Sequence, residues 1–218
     1  MALAIFDLDN TLLAGDSDYL WGQFLIKEGI VDKNQYEKEN QRFYDEYKAG
    51  TLDIYAFLAF SLKPLSENDT DKLNQLRQTF IEQEIQKILL PKAFELIKSH
   101  ADKNDTLMII TATNRFVTEP ISKLLGIEFL LATEPEVIDG RYTGKVFGTP
   151  CFQDGKVKRL EAWLKQENVS MEGSWFYSDS HNDIPLLKRV ANPVAVDSDE
   201  QLTNYAKEQN WPVISLRG

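Results

Sequence analysis

The sequence predicts an α/β protein, a parallel sheet flanked by helices, with an all-helical insertion after its first strand. Three observations carry that expectation. Short apolar runs at Ala4-Ile5-Phe6, Leu107-Met108-Ile109-Ile110 and Trp175-Phe176-Tyr177 each stop at a cluster of polar residues, the pattern of buried parallel strands that open into loops at their carboxyl ends. From Pro91 onward, strand-like and helix-like stretches alternate, which calls for crossover helices on a parallel sheet. Between Ala14 and Leu90, apolar residues recur at helical spacing and no strand signal intervenes.

The first strand delivers Asp7 and Asp9, one residue apart, and then Thr11. Side chains two apart on a strand face the same way, so the two carboxylates are expected to converge. They would repel each other unless a cation lay between them, and a hard divalent ion such as Mg2+ with oxygen ligands is the natural partner. The competing reading is a polar turn, since Asp and Asn favour turns for local reasons. What decides between them lies further along the chain.

After Leu13, Tyr19, Leu20, Trp21, Phe24 and Leu25 predict a helix that stops at Gly29. Tyr36, Phe43, Tyr44 and Tyr47 predict a second, ending near Gly50. Ile54, Phe57, Leu58 and Leu62 predict a third, ended before Pro64. Leu73 through Ile88 predict a fourth, after capping candidates from Ser66 to Thr70. These make residues 15–89 a helical cap, inserted into a core of residues 1–14 plus 90–218. The core continues with a helix over Lys92 to His100, the second strand, a helix from Phe116 closed by Gly126, and a strand over Ile127 to Leu131. Asp139-Gly140 between Val137-Ile138 and Tyr142-Thr143 predicts a β-hairpin flap. A helix over Lys156 to Lys165, the third apolar strand, and strands at Val194-Ala195-Val196 and Val213-Ile214 complete the chain.

At 218 residues with 43% hydrophobic content, the chain can bury a sizeable core. A net charge of -10 gives no basic field to collect nucleic acid or an anionic membrane surface. A small phosphate ester remains a feasible partner if the site supplies local cations. Cys151 is the single cysteine, so no intrachain disulfide can form. With no leader-like amino terminus and no span of membrane length, a cytoplasmic protein is expected. Oligomeric state stays open between monomer and homodimer.

In a parallel sheet, the three strand ends lie on one edge. That edge would gather Asp7 and Asp9, Thr111, and Asp179 with Asp183, while Lys156 opens the preceding helix. Phosphoryl transfer needs a nucleophile, an acid for the leaving group and charge stabilisation. Asp7 is placed to attack phosphorus, and Asp9 to protonate the departing alcohol and then activate water. The Thr111 hydroxyl, backbone N–H groups around Ala112 and the Lys156 ammonium would hold phosphate oxygens. Asp179 would complete a metal shell, with Asp183 steadying its waters. Lys158 competes with Lys156 for the ammonium role. His181, His100 and Cys151 receive no catalytic part.

IFDLDNTLL, IITATN, the Lys156 helix and YSDSHNDIPLL resemble, in order, the four motifs of the haloacid dehalogenase-like phosphatases, and the inserted helices resemble the cap of the phosphoserine phosphatase-like branch. The resemblance implies a Rossmann-like core with a type C1 cap, Asp7 as nucleophile, and Asp9 as acid/base. It also implies Mg2+ held by Asp7, Asp179 and the Asp9 carbonyl, and places Asn182 beside the phosphate. Ser178 and Ser180 stand where that family's fourth motif has glycine.

The resemblance also bears on substrate. In phosphoserine phosphatases, an acidic residue soon after the first motif binds the substrate ammonium, and Asp16 falls near that place, with Asp18 close by. Their cap arginine, which holds the substrate carboxylate, would fall near Ser61, and no arginine occurs between Arg42 and Arg77. An amino-alcohol phosphate without a carboxylate is therefore expected, and L-histidinol phosphate, the substrate of some relatives in this branch, is the leading candidate. Phosphoserine, phosphoethanolamine and phosphocholine are alternatives, as are a phosphotransferase and a non-catalytic relative.

Overall fold

The computed structural model describes residues 2–217. Its centre is β1 (Leu3–Phe6), which pairs in parallel with β2 (Thr106–Asn114) on one side and β5 (Trp175–Ser178) on the other. The seven-stranded sheet has the order β4-β3-β2-β1-β5-β6-β7, with β3 (Phe129–Ile138), β4 (Arg141–Phe147), β6 (Asn192–Val196) and β7 (Val213–Ile214). All neighbours are parallel except β3 and β4, which form the expected hairpin flap, with Val137 opposite Tyr142 and Ile138 opposite Arg141. The chain first builds outward from β1 through β2, then returns to add β5 on the other side. That reversal marks the crevice where open α/β sheets bind ligands.

Strand periodicity sorts β1 between two apolar layers. Ala4 and Phe6 join a cluster with Ile109, Tyr177 and Val194, while Leu3 and Ile5 join another with Met108, Ile110 and Phe176. A fully buried side chain of this size stabilises the fold by roughly 1.5–3 kcal/mol, so each layer anchors β1 from a different face. Helices α6 (Pro91–Ala101), α7 (Arg115–Leu124), α8 (Asp154–Glu167), α9 (Ile184–Leu187) and α10 (Glu200–Glu208) cover the sheet.

Five helices precede them: α1 (Ser17–Lys27), α2 (Lys33–Ala49), α3 (Ile54–Ser61), α4 (Lys63–Glu67) and α5 (Thr70–Gln83). Asp16, Asp32, Asp53 and Asp69 cap α1, α2, α3 and α5 by accepting backbone N–H groups. Pro64 does not simply end a helix: it sits in the first turn of α4, where its missing N–H costs nothing. The fourth predicted helix is also shorter than expected, because Ile85–Ile88 tighten into a 3-10 turn. Strands β2 and β3 run on through Thr, Glu and Asn where apolar content alone would have stopped them. The chain leaves and rejoins the sheet layer side by side, with Leu13 bridging Leu89 and the Ala14 N–H donating to Ile88 at 2.7 Å. We propose this as the seam between the core and the helical unit of residues 15–89.

Candidate active site

Asp7 follows directly on β1, and the chain turns at Asn10, whose φ of 57° is left-handed. Lys156 Nζ donates to Asp7 Oδ1 at 2.7 Å and to Asp183 Oδ2 at 2.7 Å, all three side chains being buried. Gly155 makes that approach possible. A side chain there would collide with the Pro150 carbonyl, so only glycine lets α8 start close enough to deliver Lys156. Lys158, its competitor in the sequence, has no comparable bond, and Lys156 is the lysine brought to the carboxylates. Thr11 Oγ1 stands 3.3 Å from Asp7 Oδ2 and 3.3 Å from Asp179 Oδ1, so one hydroxyl sits between two carboxylates.

Asp9 is held by a different set of partners. It accepts from the Ser17 N–H at 2.6 Å and Thr113 Oγ1 at 2.8 Å, with Thr111 Oγ1 further off at 3.5 Å. Pairing between β2 and β3 shifts register between Ile110 and Asn114, and such an irregularity re-aims side chains. Here Thr111, Ala112 and Thr113 all line one cavity with Asp7 and Asp9. Asp16 and Asp18 line it too. Asp16 uses Oδ1 to cap α1, and Asp18 accepts from Asn114 Nδ2 at 3.3 Å.

Lys156, Asp179, Asn182 and Asp183 stand behind that cavity rather than on its lining. Asn182 is fully engaged by protein partners: its Nδ2 donates to the Tyr47 carbonyl at 3.2 Å and to Ser180 Oγ at 3.3 Å, and its Oδ1 accepts from Gln153 Nε2 at 2.8 Å. It thus ties the fourth-motif loop to α2. Ser178 Oγ donates to Asp183 at 2.7 Å and Ser180 caps the following turn, so the two serines that replace glycine add bonds that hold Asp183 and the loop.

The electrostatics are unbalanced. Desolvation raises Asp7 to about 7, with Lys156 opposing and Asp183 and Asp9 adding to the rise. It raises Asp9 to about 6, helped by Asp16 and opposed by Ser17 and Thr113. Desolvation and the nearby Asp7 and Asp183 push Asp179 well above the carboxylate range. Burial alone would lower Lys156, yet Asp183 and Asp7 outweigh it and hold the ammonium charged. One ammonium thus faces Asp7, Asp179 and Asp183. A surplus of hard oxygen donors over cations fits a divalent ion such as Mg2+. No three His, Cys, Asp or Glu side chains converge on one metal position among the described residues. An ion held by Asp7 and Asp179 would therefore complete its shell with backbone carbonyls and water, as Mg2+ commonly does.

Several contributors were not legible as such. The Ser17 N–H, Gln153 and Phe152 have no motif of their own, and Thr113, although inside IITATN, carried no assigned role until the register shift in β2 brought it to Asp9. Ser61, the expected place of a carboxylate-binding arginine, is buried and off the cavity lining; Leu52, Ile54 and Phe57 occupy that wall instead. His100, expected as an ordinary helix-end residue, is buried between Asp105 and the Tyr177 hydroxyl, each at 2.8 Å. Burial pushes the Cys151 thiol up to about 12, which fits the inert role expected of it.

Residues 4–188 match the model of the haloacid dehalogenase-like hydrolases. The chain is 42% identical to a histidinol-phosphatase of Neisseria meningitidis over 219 residues, covering 99% of each. Among solved structures it is similar to a Bordetella pertussis protein of unknown function, with TM-score 0.93 and 38% identity over 99% of this chain and 98% of that one. It also superimposes on a substrate-bound phosphoserine phosphatase with TM-score 0.72 at 19% identity, over 99% of this chain and 93% of that one; this likeness speaks to the fold. Among the described residues no helix is long and apolar enough to cross a membrane.

Proposed function

The chain belongs to the haloacid dehalogenase-like hydrolases and is a phosphoric monoester hydrolase, and from that premise we propose that its substrate is a small amino-alcohol phosphate, L-histidinol phosphate, within histidine biosynthesis. The observation that carries this reading is the charge of the cavity. Four carboxylates line it, from Asp7, Asp9, Asp16 and Asp18, and no Lys or Arg does. Asp16 and Asp18 favour a substrate ammonium, whereas a substrate carboxylate would have no bidentate cation to meet it. Lys63, the first cation after Ser61, is exposed, pairs with Glu67 at 3.5 Å and does not line the cavity. Tyr19, Phe43, Tyr44, Tyr47, Phe57 and Phe152 bring six aromatic side chains to the wall, a surface suited to an aromatic ring. The histidinol-phosphatase relative points the same way.

In this reading Asp7 attacks phosphorus, forming an acyl phosphate as the bond to the alcohol oxygen breaks. Asp9 gives its proton to the departing alkoxide. An acid raised to about 6 by its surroundings can donate here and accept again near neutral pH. Asp9 then takes a proton from the water that attacks phosphorus, and inorganic phosphate leaves with Asp7 restored. Thr111 and the backbone around Ala112 are placed to hold phosphate oxygens, and Lys156 keeps Asp7 ionised and aimed. When bound by Asp7, Asp179 and the Asp9 carbonyl, Mg2+ would offset the negative charge of the phosphate.

The test is initial-rate phosphate release with Mg2+ from histidinol phosphate, phosphoserine, phosphoethanolamine and phosphocholine, compared as kcat/KM. The expected result is a preference for histidinol phosphate of about a hundredfold, roughly 2.7 kcal/mol of transition-state discrimination. Phosphoserine in first place would overturn the substrate assignment and send the search to a carboxylate partner outside the present cavity wall.

A further inference from the structure

Asn40 lies mid-helix in α2, is 5% exposed, and lines the same cavity as the four carboxylates. Its orientation is fixed by chemistry. The Tyr19 carbonyl, 3.2 Å away, can only accept, so the atom facing it must be Nδ2. The side-chain oxygen is therefore turned away from Tyr19, and it accepts no hydrogen bond from any described residue. Asn40 lines the cavity, so that oxygen is available to accept from a group bound there.

The surroundings are built to keep the amide in that pose. A β-carbon on Gly22 of α1 would lie 2.9 Å from Asn40 Nδ2 and 3.1 Å from its Cγ, so α1 and α2 meet closely enough to clamp the amide only because residue 22 has no side chain. Phe43 and Tyr44 stand beside Asn40 on the wall, and Tyr44 leans on Tyr19 with ring centroids 5.0 Å apart. The cavity therefore combines aromatic faces with a fixed amide acceptor beside the carboxylates of Asp16 and Asp18.

Resting on the proposed amino-alcohol phosphate substrate, we infer that the Asn40 side-chain carbonyl is a specificity contact, accepting a ring N–H from a nitrogen heterocycle such as imidazole. A carbocyclic ring of the same size fills the aromatic wall but leaves Asn40 unpaired. Sites built to hydrogen-bond a substrate group reject analogues lacking it more strongly than apolar pockets reject a missing methylene.

The experiment compares kcat/KM for L-histidinol phosphate and L-phenylalaninol phosphate, with phosphoserine as reference, in wild type and Asn40→Leu. The wild type should favour the imidazole substrate over the phenyl one by about 10- to 100-fold, and Asn40→Leu should bring that ratio close to one, chiefly through KM. A second arm needs no variant: histidinol phosphates methylated on one or other ring nitrogen are assayed with the wild type, and one isomer should lose the advantage. A ratio that survives Asn40→Leu, or two methyl isomers that both match the parent, would overturn the contact. A wild-type ratio near one, with both amino-alcohol phosphates ahead of phosphoserine, would overturn the contact alone. Phosphoserine ahead of both would overturn the functional reading beneath it.

Discussion

On the sheet side of the cavity, each charged group described is held by a defined neighbour: Lys156 by Asp7 and Asp183, Asp183 also by Ser178, Asp9 by Ser17 and Thr113. On the helix side the wall is aromatic, and its polar groups are left partly free: Asp16 and Asp18 each keep an oxygen without a partner, and Asn40 keeps its carbonyl. The first arrangement leaves little freedom to move and suits a reaction whose transition state changes little between substrates. The second leaves unmet donors and acceptors, which is what recognition of a particular alcohol requires. In the function proposed above, chemistry and selection fall to different elements that meet at one cavity.

That division can be broken at its strongest point first. Asp7→Asn removes the proposed nucleophile while keeping nearly the same volume, so turnover on every phosphate ester should fall by about 10⁴-fold or more, with an unchanged circular dichroism spectrum; appreciable Mg2+-dependent turnover would contradict the assignment. Lys156→Met acts on the same side through stability. It strands Asp7 and Asp183 in a buried site, and urea unfolding should report a loss of about 3–5 kcal/mol.

On the helix side, Tyr44→Ala should lower kcat/KM for histidinol phosphate by about tenfold and leave phosphoethanolamine, which has no ring, nearly unaffected. Equal losses on both would erase the distinction between the walls. The smallest effect concerns pH. Asp7 and Asp9 titrate near 7 and 6 in the folded protein against roughly 4 when unfolded. The folded state therefore holds the extra protons, and their stabilisation is full below about pH 4 and lost as pH rises through about 7. Metal-free protein should show a Tm that falls between pH 5 and 8, on the order of 2–4 °C for each kcal/mol lost. Added Mg2+ should restore it at the alkaline end; a metal-free Tm that rises over this range would have the wrong sign.

The two sides also differ in how far the sequence reveals them. Apolar runs ending in charge located β1, β2 and β5, and with them Asp7, Asp9, Thr111 and Asp179, because buried strands and their loops leave a local signature. Lys156 was legible as the lysine opening the helix before β5, in the place the resemblance implies, although its delivery depends on Gly155, whose close approach to Pro150 is a tertiary fact. The aromatic wall was legible only as core, since Phe43, Tyr44 and Tyr47 recur at helical spacing whether they face a cavity or a neighbour. Asn40 and Gly22 carry no periodic signal at all. The wall around the expected arginine was hidden for a related reason: position in the sequence cannot tell that Ser61 is buried away from the cavity while Leu52, Ile54 and Phe57 line it. The ends of β2 and β3 were missed because pairing across the sheet carries them through polar residues.

The most direct test is rapid-quench kinetics of wild type and Tyr44→Ala with histidinol phosphate and Mg2+, resolving the formation of phosphorylated Asp7 from its hydrolysis. Once the alcohol has left, the helix-side wall has nothing to recognise. Formation should slow by about tenfold in the variant while hydrolysis of the acyl phosphate keeps the wild-type rate. An equal slowing of both steps, or no phosphorylated Asp7 in either protein, would contradict the account.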